Sequence, residues 1–309
     1  MIVLINSIAG VFEFSKIERI AAKLKPVDFI TIIYQLMIML TIIFYYPAIQ
    51  YAGYFIIFHV TAIGFVIWLT LADNNNVAQI IRPWNPIIII PLNFSQLHYL
   101  VHPVSPFDWD NALIHFDYLL FGIHPTVWLE RWLNPGLTEY LQLVYTSFYF
   151  IPIVLAIILY KQRDFEKFDF FVFITVFGFY LSYIGYFLVP ALGPRFTLSA
   201  NQNEPLQGLW LTERIRHVLN VLEGIQRDAF PSGHTEITLL TMYYAWKFSR
   251  IYFWVLTVLG TSLVFSTVYL RYHYVIDIIA GLWLTIFVLV IVKPVYDSIC
   301  RWQQLKQSL

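Results

Sequence analysis

The chain has 309 residues, of which 59% are apolar and only 12% charged, and its mean hydropathy is +0.66. A soluble domain carries about twice that charged share, so an ordinary cytosolic domain, a disordered chain and a coiled coil are excluded and an integral membrane protein is implied. The 19 basic residues balance the 19 acidic ones, leaving no surplus for a nucleic-acid partner, and the single cysteine, Cys300, excludes an intrachain disulfide.

The N-terminus carries Lys16, Arg19, Lys23 and Lys25 ahead of the first long apolar run and reads without a cleavable signal. Phe29–Ala72 contains no Asp, Glu, Lys or Arg over 44 residues. One helix of that length would measure about 66 Å, roughly twice the hydrocarbon core, so the stretch predicts a hairpin. Pro47, Gln50 and Gly53 mark its turn, between spans near Phe29–Pro47 and Tyr54–Ala72. Asp73-Asn74-Asn75-Asn76 then opens a mixed region reaching Leu137. Within it, Ile87–Ile90 is bracketed by Pro86 and Pro91 and reads equally as a short span, a re-entrant piece or an interfacial helix. Asp117–Trp132 mixes apolar residues at helical spacing with Asp117, His124, Glu130 and Arg131, which suits a helix in the headgroup plane. Further spans are expected at Tyr140–Tyr160, Phe170–Pro194, Ile251–Leu270 and Ile278–Val292. Thr235–Trp246 is short and contains Glu236, but charged loops flank it, and it is read as a span as well.

Basic residues set the orientation. Lys161, Arg163 and Lys167, then Lys247 and Arg250, then Lys293, Arg301 and Lys306 fall on one side if each intervening run crosses once. That side is expected to be cytoplasmic. A cytoplasmic N-terminus requires an even number of spans, so Pro86–Leu100 is a candidate eighth.

Ionisable residues at membrane depth ask for a reason. Three clusters share the non-cytoplasmic side: Gly193–Phe196 (GPRF), Phe230–Glu236 (FPSGHTE) and Ser266–Asp277 (STVYLRYHYVID). His273 and Asp277 are four apart, so on a helix they share a face. A carboxylate on one imidazole nitrogen fixes the tautomer and leaves the other free to attack; a polar pair capping a span would read the same. Pro231-Ser232-Gly233 forms a tight turn into His234 at a helix N-terminus, where amides favour an anion and an imidazole can protonate a leaving oxygen. Arg195 and Arg271 have no acidic neighbour in sequence, and guanidinium matches phosphate geometry. Asp108, Asp110 and Asp117 with His102, His115 and His124 match no metal-binding spacing, so no metal is expected. A transporter would spread polar residues along several spans, whereas here they concentrate near one face.

Taken together, these clusters resemble the type 2 phosphatidate phosphatase superfamily of lipid phosphatases and phosphotransferases. PSGH at Pro231–His234 matches its second motif outright, and His273-x3-Asp277, followed by Ala280-Gly281, matches its third. Ser266 stands at the family serine, but Thr267 replaces the following arginine, and Arg271, one helical turn along the same face if the helix continues, is taken as its substitute. The first motif is not intact: Arg82-Pro83 imitates its end but precedes the site by several spans, so its arginine role is carried to Arg195. SGHT followed by HYVID, with Asp228 upstream, is similar to the branch containing inositol phosphorylceramide and sphingomyelin synthases. The motif-bearing similarity is read over about Tyr140–Val292.

The resemblance implies an all-α polytopic membrane bundle, with a core of about six transmembrane helices, extra N-terminal spans and an interfacial helical insertion. Residues 1–139 would hold those spans and the insertion, and 140–309 the catalytic core, together as one integrated membrane domain. It implies that His273 attacks phosphorus, that Asp277 orients it and that His234 moves the proton. Arg195, Arg271, Ser232 and Gly233 would hold the phosphate. No metal or cofactor is implied. The implied partners are a lipid phosphate, the bilayer and a lipid or inositol acceptor, with the site on the extracytosolic side; water as acceptor gives a phosphatase, a hydroxyl a phosphotransferase.

Overall fold

The computed structural model describes residues 18, 20–72 and 74–307; Lys16 and Arg19 of the basic N-terminus and Asp73 of the polar loop lie outside the described residues. The described chain is an all-α, multi-pass membrane bundle.

Helix α1 (Pro26–Phe44) starts on a proline, whose missing N–H is no loss in a first turn, and Asp28 reaches back to accept the Lys25 N–H at 2.8 Å. The chain turns through Pro47 and the left-handed Tyr51 into α2 (Ala52–Leu71), giving the expected hairpin. The open question at Pro86–Leu100 resolves as a full-length helix, α3 (Pro86–Val104), long and apolar enough to cross. Pro86 sits at its first position, and the helix continues through Pro91 rather than stopping there.

The insertion departs from expectation in its bounds and its facing. Its helix, α4, runs Asp110–Phe121 and stops at left-handed Gly122, well before Trp132; only short turns follow. Asp110, Leu113 and Asp117 point inward while Phe116, Leu119 and Leu120 point out. The acidic stripe thus faces protein and the apolar stripe faces the surroundings.

The expected single span at Tyr140–Tyr160 is broken. α5 (Pro135–Thr146) is capped by Asn134 and runs into a tight turn, Ser147–Tyr149. α6 (Ile151–Lys161) then leaves at 49°, with Pro152 in its first turn. α7 (Phe165–Leu188) is capped by Asp164 and ends before Pro190, short of the expected Pro194. The following loop holds a helix the sequence reading left as loop, α8 (Thr212–Glu223). α9 (Gly233–Phe248) is the short inferred span; at 16 residues it is about 24 Å long. α10 (Arg250–Tyr269) follows. α11 (Val275–Gln307) runs through the expected end at Val292 and through Pro294 for 33 residues.

Among the described residues six helices are long and apolar enough to cross a membrane, and seven if the bent α5–α6 pair is one span. α9 is not among them, but it packs against α6, α7, α10 and α11 and so runs through the middle of the bundle. α7 is the other central helix, packed on α1, α3, α6, α9 and α11. Phe171, Phe173, Ile174, Ile237, Leu240 and Val288 form the fully buried interior between them. The two ends of the described chain meet: Trp302 packs edge-on against Phe29 at 5.6 Å, and Lys306 pairs with Glu18 at 3.0 Å.

Polar residues are not confined to one face. His59 of α2 and Gln35 of α1 face each other at 2.5 Å, with Asn93 and Gln96 of α3 also buried. Inter-helix polar contacts of this kind hold membrane helices in register.

Candidate active site

Each histidine is delivered by a turn whose backbone is fixed. Ser232 caps α9: its hydroxyl accepts the Thr235 N–H at 3.3 Å, and its own N–H donates to the Asp277 carbonyl at 3.1 Å. Two helices lie against this turn through glycine. A Cβ on Gly281 of α11 would sit 2.6 Å from the Ser232 carbonyl oxygen, and one on Gly185 of α7 would overlap the Pro231 ring. Behind Gly233, Tyr186 and Ser182 close the gap, and the Ser182 hydroxyl donates to the buried Glu236 carboxylate.

The second turn begins where α10 ends. Leu270 leaves the helix and Arg271 adopts φ 67°, so the helix does not continue to Arg271 as expected. The N–H groups of Tyr272 and His273 both donate to the Thr267 carbonyl, at 2.9 and 3.0 Å. His273 therefore stands before α11 rather than on it. Its Nδ1 lies 2.7 Å from the Ala229 carbonyl and 3.4 Å from Asp277 Oδ2. The carbonyl, not the carboxylate, makes the short contact and holds the Nδ1–H tautomer. Asp277 Oδ2 instead accepts the Tyr274 N–H at 2.8 Å and ties the turn to the first residues of α11.

With Nδ1 engaged, His273 Nε2 faces His234 Nδ1 at 3.4 Å. The His234 ring is held by aromatic neighbours, Phe148 at 4.3 Å and Tyr145 at 4.6 Å between centroids. The break between α5 and α6 places these two rings there. Tyr145 stacks in turn on Tyr272 at 4.4 Å, and the Arg195 guanidinium sits 4.9 Å from the Tyr272 ring centre. A cation and an imidazole thus flank a two-ring stack. Burial pushes the His273 imidazole down to about 4, against the pull of nearby Asp228, so the ring is neutral near pH 7. Burial likewise pushes the Asp228 carboxyl up, offset by Arg195 and His273.

His234, Gly233 and Asp228 line one end of a cavity of about 320 Å³ whose remaining walls are almost wholly apolar. Arg195 and Arg271 line a second, polar cavity of about 420 Å³ together with Gln202, Arg216, Asn220 and Tyr272. The seven expected residues therefore separate. His234, His273, Asp277, Ser232 and Gly233 come together. Arg195 reaches them through the ring stack, and its backbone N–H donates to the Arg271 carbonyl at 2.9 Å. Arg271 points elsewhere: its guanidinium donates to Glu130 at 2.9 Å and to the Glu204 carbonyl at 2.7 Å. Ser232 has both its hydroxyl and its N–H engaged in the fold, and the Gly233 N–H donates to the Tyr186 hydroxyl, so the turn's amide at His234 is the one left to face a ligand. Arg82-Pro83 lies at the far end of the apolar cavity, with Arg82 paired to Asp28 at 3.2 Å.

The residues the sequence reading did not assign are acidic and lie in the insertion. Asp110 accepts the N–H groups of Leu192 and Gly193, both at 2.9 Å, and the Tyr274 hydroxyl at 2.8 Å. Asp117 accepts those of Val275 and Ile276, at 3.0 and 2.8 Å, capping α11. Burial raises its carboxyl and those two amides lower it. Asp108 holds Arg227 in a two-pronged pair, at 2.7 and 3.0 Å. Gly193, with φ 89°, lets the Asp110-capped loop pass against the Tyr272 carbonyl, which a Cβ would meet at 2.5 Å. The carboxylates set aside as metal ligands thus buttress the three motif turns.

Residues 111–291 match the family model of the PAP2 superfamily, more than half of the chain. The chain belongs to the PAP2 superfamily. The match starts inside the insertion, well before Tyr140, so the buttressing helix α4 is part of the family segment and not an appendage to it. Over 105 residues the chain is 30% identical to a PA-phosphatase related-family protein of Dictyostelium discoideum. That stretch is 33% of this chain and 19% of the relative, so the chain spans about a fifth of that protein's length. No solved structure matches the chain.

Proposed function

We propose that the protein transfers a phosphoryl group from a lipid phosphoester or pyrophosphate through a phosphohistidine. The observation that carries this reading is the histidine pair at the polar end of an apolar cavity: His273 Nε2 faces His234 at 3.4 Å while Nδ1 is held by Ala229. In the first step the Nε2 lone pair of His273 attacks phosphorus. The bond from phosphorus to the leaving oxygen breaks, its electron pair stays on that oxygen, and His234 supplies the proton. In the second, water or a hydroxyl gives its proton to His234 and its oxygen bonds to phosphorus; the N–P pair returns to His273. The Ala229 carbonyl and Asp277 steady the cationic phosphoimidazole. Arg195 and the His234 amide hold the phosphoryl oxygens as charge moves. Arg271, neutralised by Glu130, positions the loop that carries Arg195. No step calls on a metal. The basic loops favour an extracytosolic site.

A second reading, head-group transfer to a ceramide-like acceptor, is favoured by the polar cavity beside Arg195, where Gln202, Asn220 and Tyr272 could receive a hydroxyl-rich head group. Purified protein in mixed micelles with chelator, given phosphorus-labelled phosphatidate, isoprenyl pyrophosphate and phosphatidylinositol with and without ceramide, separates the two. Label in free phosphate marks a phosphatase, and label in a new lipid that requires ceramide marks a transferase. His273→Ala should lower either rate by about four orders of magnitude. Undiminished turnover in that variant would end the phosphohistidine scheme.

A further inference from the structure

The apolar cavity is long as well as narrow. Its wall on α7 runs from Tyr186, beside the histidines, to Phe171, fifteen residues and about 22 Å away. One leaflet of the hydrocarbon core is about 15 Å deep, so the cavity reaches past the bilayer midplane. Its only charged or titrating groups besides tyrosine hydroxyls are Asp228 and His234 at the upper end. Thr175, part-way down, turns its hydroxyl onto the Phe171 carbonyl at 2.9 Å. Trp84 lines the lower end, its ring packed at 5.2 Å on both Tyr160 and Phe168. The opposite wall is α3, running in the same direction as α7, with Phe94 against Tyr183 and Ile87 near the floor. Both α3 and Trp84 lie outside the segment that matches the superfamily.

We propose that this cavity measures a single hydrocarbon chain of the phosphorylated lipid, with Trp84 as its floor and α3 setting the accepted length. The proposal rests on the lipid-phosphoester reading and adds to it which chain is accepted. Three observations commit the occupant. The cavity ends at His234, whose Nδ1 lies 3.4 Å from His273 Nε2, so a chain lying in it brings its phosphoester to the histidine pair. Its walls offer no polar partner below the upper end. Its volume, about 320 Å³, is near the lower limit of small-molecule sites, roughly 300 Å³, which suits one extended chain and not two. Chain burial of this kind is uniform binding: it acts on KM and leaves kcat alone.

The test is a series of saturated lysophosphatidates from eight to twenty carbons in mixed micelles with the full chain. Turnover is measured on wild type, Trp84→Ala and Ile87→Phe. Binding of the same series is measured in parallel by displacement of a radiolabelled sixteen-carbon member from His273→Ala protein carrying each floor substitution. For wild type, kcat/KM should rise about fourfold per methylene and then break at the length that meets the floor. Trp84→Ala should move the break to longer chains and Ile87→Phe to shorter ones, with the eight-carbon substrate turned over equally by all three. The same shifts in the binding series with no turnover at any length would keep the ruler and remove the enzymatic reading. An unmoved break in both variants, with eight-carbon turnover intact, would overturn the ruler and leave the enzyme standing. The two substitutions act in opposite directions, so misfolding of either one cannot imitate the result.

Discussion

The insertion and the motif turns are both rich in ionisable groups, yet they use them in opposite ways. Among the described residues of the insertion every carboxylate is occupied: Asp110 and Asp117 cap backbone amides, Asp108 grips Arg227, and Glu130 neutralises Arg271. Glu139, at the start of α5, does the same for the first amides of α8, accepting from Leu211 at 2.7 Å and from Thr212 at 3.1 Å. In the turns, polar atoms are left unengaged: His234 Nε2 and Asp277 Oδ1 are buried without a hydrogen-bond partner. Buried polar atoms without partners are uncommon, and here others lie between α1, α2 and α3, at Gln35, His59, Asn93 and Gln96. A group of charges therefore does not by itself announce a site; what matters is whether a reactive atom among them is left available.

That contrast can be broken most sharply at the buttress. Asp117→Ala strips two capped amides from α11 and Asp110→Ala strips two from the Gly193 loop. Charge-assisted hydrogen bonds contribute about 1.5–3 kcal/mol each, so each variant should lose several degrees in a detergent thermal melt and at least tenfold in kcat/KM. A metal-ligand role would instead show as rescue by added divalent cation; rescue would move these residues from buttress to chemistry. The next largest effect is in pH. His273 must be neutral to attack, and burial lowers its pKa to about 4 from an ordinary value of about 6.5. Protonation removes the nucleophile, so the acid limb of kcat/KM should fall only as pH drops through the region near 4, with activity kept at pH 5.5. A limb centred at 6.5 in the pH–rate profile would show an imidazole open to water. The smallest effect belongs to Asp108→Asn. Its pair with Arg227 is about a quarter exposed on each side, so the loss should stay within about 1 kcal/mol and leave turnover within a factor of three.

The spans and the PSGH and HYVID turns were legible in the sequence because charge-free runs and ionisable clusters are local signals. What was not legible depends on partners far apart in the chain. The break at Ser147–Tyr149 falls inside a uniformly apolar run, and its purpose is visible only when Phe148 and Tyr145 meet His234. Arg271 was read as a phosphate ligand because its acidic partner, Glu130, stands 141 residues away. Asp277 was read as the tautomer-fixing group because the four-residue spacing suggests a helix, whereas the helix begins two residues after His273 and the Ala229 carbonyl takes the role. The pattern over Asp117–Trp132 reads as an interfacial helix, whereas the helix formed is α4; nothing in the pattern shows that its acidic face caps the loops of the motifs.

The glycines against the Pro-Ser-Gly-His turn have a consequence of their own. Gly185 and Gly281 carry no chemistry, yet the turn between them is shaped by atoms they lack. A methyl group at either place would act as a wedge, prising α7 or α11 away from Pro231 or Ser232 and tilting His234 against His273. The tolerance of this site to variation is therefore decided as much by two empty volumes as by its reactive side chains. A map of substitutions scored by activity alone would give the two kinds of position the same weight; only the yield of folded protein would tell a lost reagent from a lost space.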